Sequence, residues 1–174
     1  MRIATARLVL REFTADDWPE VLALQRDPRY LRFYAWTDRS EAEVREFVQM
    51  FVNQQADRPR RKFQLAITLP DSGRLIGDCG IRRKPGNHWE ADIGYELSPE
   101  YWGRGYATEA AERALVWANR TWGRRYVVAG HFSDNPASGQ VLCKLGFLYT
   151  GEVKLLTSTA RGGEVPARMM VWLA

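Results

Sequence analysis

The sequence predicts one domain of the α/β or α+β class over residues 1–174, and three observations carry that prediction. Strand-like and helix-like patterns alternate along the chain; no linker, internal repeat or low-complexity tract interrupts them; and 45% apolar with 26% charged residues is an ordinary globular balance. Disorder, collagen-like repeats and a disulfide-dense scaffold are excluded by the same values. Arg7 to Phe13 alternates apolar and charged positions at the period of a half-buried strand. Thr14, with Asp17 three residues on, starts a helix that tolerates Pro19 in its first turn and lines up Trp18, Val21, Leu22 and Gln25. Ser40-Glu41-Ala42-Glu43 is a capping box, and Val44, Phe47, Val48 and Phe51 follow it at helical spacing.

Asn53 to Lys62 is polar and carries Pro59, so it reads as a loop. Phe63–Leu69, Arg74–Arg82 and Glu90–Leu97 read as a three-strand meander, separated by Asp71-Ser72-Gly73 and Lys84-Pro85-Gly86-Asn87. Ala107, Ala110, Ala111, Ala114, Leu115 and Ala118 then form the small face of a helix able to lie close on a sheet. Tyr126–Phe132 is a strand, Asn135-Pro136 opens a short helix ended by Gly146, and Phe147–Leu155 and Val165–Leu173 are strands joined through Arg161-Gly162-Gly163. The expected order is βααβββαβαββ.

Lys plus Arg number 25 against 21 Asp plus Glu, a net charge of +4 that suits an anionic ligand without requiring one. The densest basic cluster is Arg58, Arg60, Arg61 and Lys62, and the rest are scattered, so no nucleic-acid surface is expected. Cys79 and Cys143 lie far apart, with only His88 and His131 besides, which is too few ligands for a zinc site and no disulfide framework. Both cysteines are expected in the core. No apolar stretch approaches the roughly 20 residues of a membrane span, and the first five residues lack a signal-peptide run, so the expected compartment is the cytoplasm.

The strongest local feature is Leu97-Ser98-Pro99-Glu100-Tyr101-Trp102-Gly103-Arg104-Gly105-Tyr106-Ala107-Thr108-Glu109-Ala110, a strand joined to a helix through a glycine turn. The first N–H groups of such a helix lack internal partners and suit a phosphate or pyrophosphate. The P-loop ending is missing, and a dinucleotide-binding GxGxxG would need glycine at Thr108. About 30 residues on comes Asp134-Asn135-Pro136-Ala137-Ser138-Gly139-Gln140-Val141-Leu142-Cys143-Lys144-Leu145-Gly146-Phe147. In this order and spacing the two segments resemble the acyl-CoA-binding core of the GNAT N-acetyltransferases, and Tyr101 to Ala110 is similar to the RimJ/RimL branch. Ala6-Arg7-Leu8-Val9-Leu10-Arg11 and Ile76-Gly77-Asp78-Cys79-Gly80-Ile81 fit that branch as well.

The resemblance implies a twisted mixed sheet whose central strands splay to admit the pantetheine arm of acetyl-CoA. It implies that main-chain groups at Tyr95 and Leu97 pair with the pantetheine, that Gly103, Arg104, Gly105, Tyr106, Ala107 and Thr108 cradle the pyrophosphate, and that Asn135 hydrogen-bonds the pantetheine or simply caps the next helix. Asp92 matches the acidic base of some members, with Glu96, Glu90 and Glu152 as competitors or as ordinary solvated carboxylates. Ser138 matches the general acid of the RimL-like group, or is a small residue in a first turn. Leu142 stands where many members have the tyrosine that protonates the thiolate, which excludes that route here. Trp18, Tyr30, Phe33, Tyr34, Trp36 and Trp89 could line an acceptor pocket or belong to the core, and His131 could face the site or be a satisfied strand-end histidine. The implied activity is acetyl transfer from acetyl-CoA, without a metal, to a primary amine, either a protein N-terminal α-amine or a small molecule. An acyl-CoA-binding sensor with little catalysis is the alternative, and a homodimer is compatible with either.

Overall fold

The computed structural model describes residues 1–34, 37–123, 126–158 and 161–173. An eight-stranded sheet forms its centre, built from β1 (Arg2–Ala4), β2 (Val9–Glu12), β3 (Lys62–Thr68), β4 (Leu75–Arg83), β5 (Glu90–Leu97), β6 (Tyr126–Phe132), β7 (Leu148–Ser158) and β8 (Gly163–Leu173). The strands lie in the order β1-β2-β3-β4-β5-β6-β8-β7. Every neighbouring pair is antiparallel except β5 and β6. The helices are α1 (Trp18–Gln25), α2 (Pro28–Leu31), α3 (Glu41–Gln54), α4 (Tyr106–Trp122) and α5 (Pro136–Lys144). None among the described residues is long and apolar enough to cross a membrane.

The expected order holds with two additions. A three-residue strand, β1, precedes the first expected strand and pairs Ile3 with Leu10; three residues are too few to display alternation. One extra turn of helix, α2, follows α1, with the Asp27 carboxylate accepting from the Arg29 N–H at 2.9 Å. The first expected strand also shortens to Val9–Glu12, because Arg7 leaves the ladder to bind elsewhere. The Ser40 capping box forms as expected, with the Glu43 carboxylate accepting from the Ser40 N–H at 2.7 Å.

Two apolar layers sandwich the sheet. On one face, α4 lays Ala110, Ala111, Ala114, Leu115 and Ala118 against Ile81, Ala91, Ile93, Leu97 and Val127. Small side chains let the helix approach closely, and Leu115 buried here contributes about 1.5–3 kcal/mol. On the other face, Val44, Val48 and Phe51 of α3 pack with Phe13, Val21, Leu22 and Ala66. The far edge differs: β7 leaves Leu148, Val153, Leu155 and Leu156 exposed.

The functional consequence lies in β5. Its pairing with β6 stops after Glu90, Ala91 and Asp92. Glu90 and Ser98 bond to the β4 side, through Lys84 N–H to Glu90 O at 3.1 Å and Ser98 N–H to Ile76 O at 2.8 Å. Trp89 O accepts from Tyr126 N–H at 3.1 Å on the β6 side. Alternation therefore turns the main-chain groups of Tyr95 and Leu97 toward β6, where the ladder has already ended.

Candidate active site

The gap between β5 and β6 opens into a cavity of about 530 Å³, within the range of small-molecule sites. Tyr95, Glu96 and Leu97 form one side, Asn135, Ser138, Val141 and Lys144 the other, and Gly103, Gly105, Tyr106, Ala107 and Thr108 its end. The first helical N–H of α4 is that of Glu109, which donates to Gly105 O at 3.1 Å. The N–H groups of Tyr106, Ala107 and Thr108 thus have no carbonyl within the helix, and the positive end of the helix dipole lies with them. Gly103 and Gly105 take φ of +73° and +78°, the left-handed region that glycine occupies without strain. A Cβ at Gly105 would find only Arg7 Nη2 at 3.5 Å, so the backbone angle, not crowding, demands glycine there.

Arg7 holds this turn in place. Its main-chain N–H and its Nε each donate to the Glu109 carboxylate at 2.8 Å, and its Nη1 donates to Arg104 O at 2.9 Å. Thr5 Oγ1 donates to the same carboxylate. Burial works to raise the Glu109 pKa, but the bonds from Thr5 and Arg7 outweigh it and hold the carboxyl below its ordinary value. The arginine of the opening segment and the glutamate of the helix are therefore one clamp on the glycine turn, a link that no local pattern in the sequence signals. The Arg104 side chain does not line the cavity; it lies 5.4 Å from the Tyr101 ring centroid.

Asn135 Oδ1 accepts from the Ser138 N–H at 3.2 Å, capping α5, while the residue also lines the cavity. The Tyr95 hydroxyl donates to Ser138 O at 2.9 Å and lies 3.2 Å from Ser138 Oγ, bridging the open side of the gap. Leu142 is buried in the core. Trp102 Nε1 donates to Leu97 O at 2.8 Å, which occupies that carbonyl and leaves the Leu97 N–H facing the gap.

Of the candidate carboxylates, only Glu96 reaches the cavity. Asp92 lies on the same strand face but is paired with Arg82 at 2.7 Å and lines neither this cavity nor the second one described below. Glu90 is engaged by Lys84, Asn87 and Tyr126, and Glu152 lies 3.7 Å from Lys154 on β7. Glu96 accepts from the Tyr30 hydroxyl at 2.7 Å and is hydrogen-bonded to Tyr34 and to Asp78, its cross-strand partner on β4. Burial and the adjacent Glu96 charge push the Asp78 carboxyl well above the ordinary range. Burial also raises both tyrosines, which remain neutral donors. The tyrosines of α2 and the turn after it, and the acid of β4, come from segments far apart in the chain, which is why sequence patterns miss the cluster.

Tyr30, Phe33 and Tyr34 line the cavity, whereas Trp18 packs beneath Arg45, Trp89 is exposed, and Trp36 lies outside the described residues. His131 is satisfied by Phe132 O at 2.8 Å and the Tyr149 hydroxyl at 3.0 Å, away from the site. Cys79 is buried as expected, its thiol pushed up to about 12. Cys143 is not in the core: it is exposed on α5, one position beyond the buried Leu142. Among the described residues no group of three His, Cys, Asp or Glu side chains could hold a metal.

The chain is similar to an uncharacterized N-acetyltransferase, YoaA, of Bacillus subtilis, 29% identical over 153 residues that span 87% of this chain and 85% of that one. The fold matches a GNAT-family acetyltransferase from Bacillus anthracis with a TM-score of 0.84 at 22% identity, covering 99% of this chain and 98% of the other. It matches the ribosomal-protein α-N-acetyltransferase RimL in complex with coenzyme A equally well, with a TM-score of 0.84 at 20% identity over 99% and 98% of the two chains. The model of the GNAT acetyltransferase domain family matches residues 7–148, from the arginine that clamps the glycine turn to the first residue of β7. With most of its length matched by that one model and its central strands parted at the place just described, the chain belongs to the GNAT family of acetyltransferases.

Proposed function

We propose that the protein transfers an acetyl group from acetyl-CoA to a primary amine by direct attack on the thioester. One observation carries the reading: the main-chain groups of Tyr95 and the N–H of Leu97, turned toward a strand that no longer pairs with them, lead along the gap to the free N–H groups at the start of α4. An extended pantetheine arm would pair with the first as a further strand would. The pyrophosphate would sit on the N–H groups of Tyr106, Ala107 and Thr108, in the turn made by Gly103 and Gly105, with Arg104 close by as a supplementary charge. Asn135 serves both as helix cap and as a pantetheine contact.

In this arrangement the amine lone pair attacks the thioester carbonyl, a C–N bond forms and the C–S bond breaks, with the electron pair leaving on sulfur. The Leu97 N–H stabilises the oxyanion. Glu96 takes the proton from nitrogen, a role that passes to it from Asp92 because Asp92 is held by Arg82 outside the cavity. The Ser138 hydroxyl, aligned by Tyr95, donates a hydrogen bond to the departing thiolate, which is then protonated by solvent. The acceptor is a protein N-terminal amine or a small molecule, and the site of action is the cytoplasm.

Acetyl-CoA titrated into the protein in a calorimeter should bind saturably, and a panel of primary amines should then release free thiol in step with N-acetylated product. Saturable binding without thiol release across the panel is the result that a sensor would give, and it would overturn the catalytic reading.

A further inference from the structure

A second cavity, of about 410 Å³, lies on the α3 face of β3, β4 and β5. Tyr34, Tyr95 and Glu96 line both cavities, so the two meet at the carboxylate proposed as base. The pairing register orders the strand residues beneath this trough into three rows. Ala66, Asp78 and Glu96 form the first; Gln64, Gly80 and Gly94 the second; Lys62, Arg82 and Asp92 the third. Two of the three members of the middle row are glycine, and longer side chains from their neighbours lie over them. Gln64 lies across Gly80 and donates to Asp78, and Arg82 reaches over Gly94, where a Cβ would lie 3.5 Å from its Nη2. Phe47, Met50 and Phe51 of α3 supply an apolar wall.

The charges are arranged end to end. At the near end, the hydrogen-bonded carboxyls of Asp78 and Glu96 lie side by side, with Tyr30, Tyr34 and Gln64 as neutral donors around them. At the far end, Arg82 and Lys62 carry two positive charges against the one of Asp92, and Lys62 has no ion pair among the described residues. Two residues of strand separate Gly94, beneath the Arg82 guanidinium, from Glu96, and four separate the row of Lys62. At 3.2–3.4 Å per residue the cations stand roughly 7 and 13 Å from the amine end.

We propose that this trough is the acceptor channel and that it selects a small primary amine with an apolar middle and a carboxylate at its far end, the amine resting at Glu96 and the carboxylate held by Lys62 and Arg82. The inference rests on the acetyl-transfer reading above for where the amine reacts, but the trough's own preference can be read without turnover. A charged head at each end of an apolar stretch matches the trough in sign, in order and in length. A simple alkylamine would leave Lys62 without a partner, and a diamine would meet the far end with like charge.

The test compares glycine, aminohexanoate and aminooctanoate, each carrying its amine at the chain end, with hexylamine, octylamine and diaminooctane, followed by thiol release. In parallel, calorimetry measures each compound against the protein loaded with CoA. Aminohexanoate and aminooctanoate should exceed the alkylamines of equal length at least tenfold in kcat/KM, and glycine should be too short to gain. Lys62→Met should cut the ratio of aminooctanoate to octylamine at least fivefold, and Lys62→Glu should turn the preference toward diaminooctane. Equal use of alkylamines and amino acids, or a ratio that Lys62→Glu does not move, would overturn the proposal. So would selective use of a peptide N-terminus that ignores both variants. Binding of aminooctanoate lost in Lys62→Glu, with no thiol released by any amine, would retain the trough and overturn the transfer reading instead.

Discussion

The two cavities are built from different material. The one between β5 and β6 is lined for binding chiefly by main-chain N–H groups, at a strand that has lost its neighbour and at a helix that has just begun. The trough beneath α3 is lined by side chains, with charges drawn from β3, β4 and β5 and a tyrosine from the turn after α2. Main-chain donors suit a ligand common to a whole family, since almost any sequence with the right turn supplies them. Side chains suit the part of the reaction that differs between members, since each can change without disturbing the fold.

The sharpest way to break this comparison is Glu96→Gln. Loss of the proposed proton acceptor should lower turnover by about 10²–10⁴-fold while the acetyl-CoA dissociation constant stays as it was, with rate at saturating acetyl-CoA and calorimetric affinity as the two readouts. A matching loss of affinity would show that the two cavities are not separable. Gly105→Ala should act in the opposite sense. Forcing a Cβ into a left-handed conformation costs about 1–2 kcal/mol, roughly a 5–30-fold weaker binding of acetyl-CoA if the turn relaxes to relieve it. Gly105→Asn should be milder, because asparagine tolerates that region better and the space around the residue is open. Equal losses for the two variants would mean that crowding rather than backbone angle matters.

Glu109→Gln should produce a smaller change, because Thr5 and the Arg7 main chain can still donate to the amide oxygen. Loss of the charge-assisted bonds from Arg7 should weaken acetyl-CoA binding about three- to tenfold, with the KM for the amine unmoved. A shift in the amine KM would connect the clamp to the trough and remove the distinction.

Asp78→Asn is read in stability rather than in binding, and its signature is a slope. A carboxyl whose folded-state pKa is raised keeps a proton that the unfolded chain releases above about pH 3.9. Wild-type stability therefore carries a contribution from Asp78 that declines as pH rises from there toward the folded-state value, at up to about 1.4 kcal/mol per pH unit. Asp78→Asn should remove this decline, so that the variant gains on the wild type as the medium becomes more alkaline. Denaturant melts from pH 5 to pH 9 read the difference, and parallel stability curves would mean that Asp78 is ionised.

Much of the first cavity was legible because its signals are local. Gly103 and Gly105 before the Ala107–Ala118 face announce a turn and a helix start whatever surrounds them, and Asn135-Pro136 does the same for α5. The strand at Glu90–Leu97 could be read from its alternation, and so could the place of Tyr95 and Leu97 on it. The resemblance favoured Asp92, yet strand periodicity places Asp92 and Glu96 on one face without saying which of them meets Arg82. That choice needed the register of β4 against β5, which sets Arg82 opposite Asp92 and Asp78 opposite Glu96.

What the amino-acid sequence determined by itself is therefore the order of the elements, the glycine turn and the alanine face that seats α4, since these depend on spacings of a few residues. Tertiary structure decided the clamp of Arg7 on Glu109, about a hundred residues apart, the raised pKa of Asp78 and the row of charges along the trough. Each of these depends on which strand lies beside which and on how much water is excluded between them. Burial and cross-strand pairing set those conditions, and both exist only once the sheet has closed over the chain.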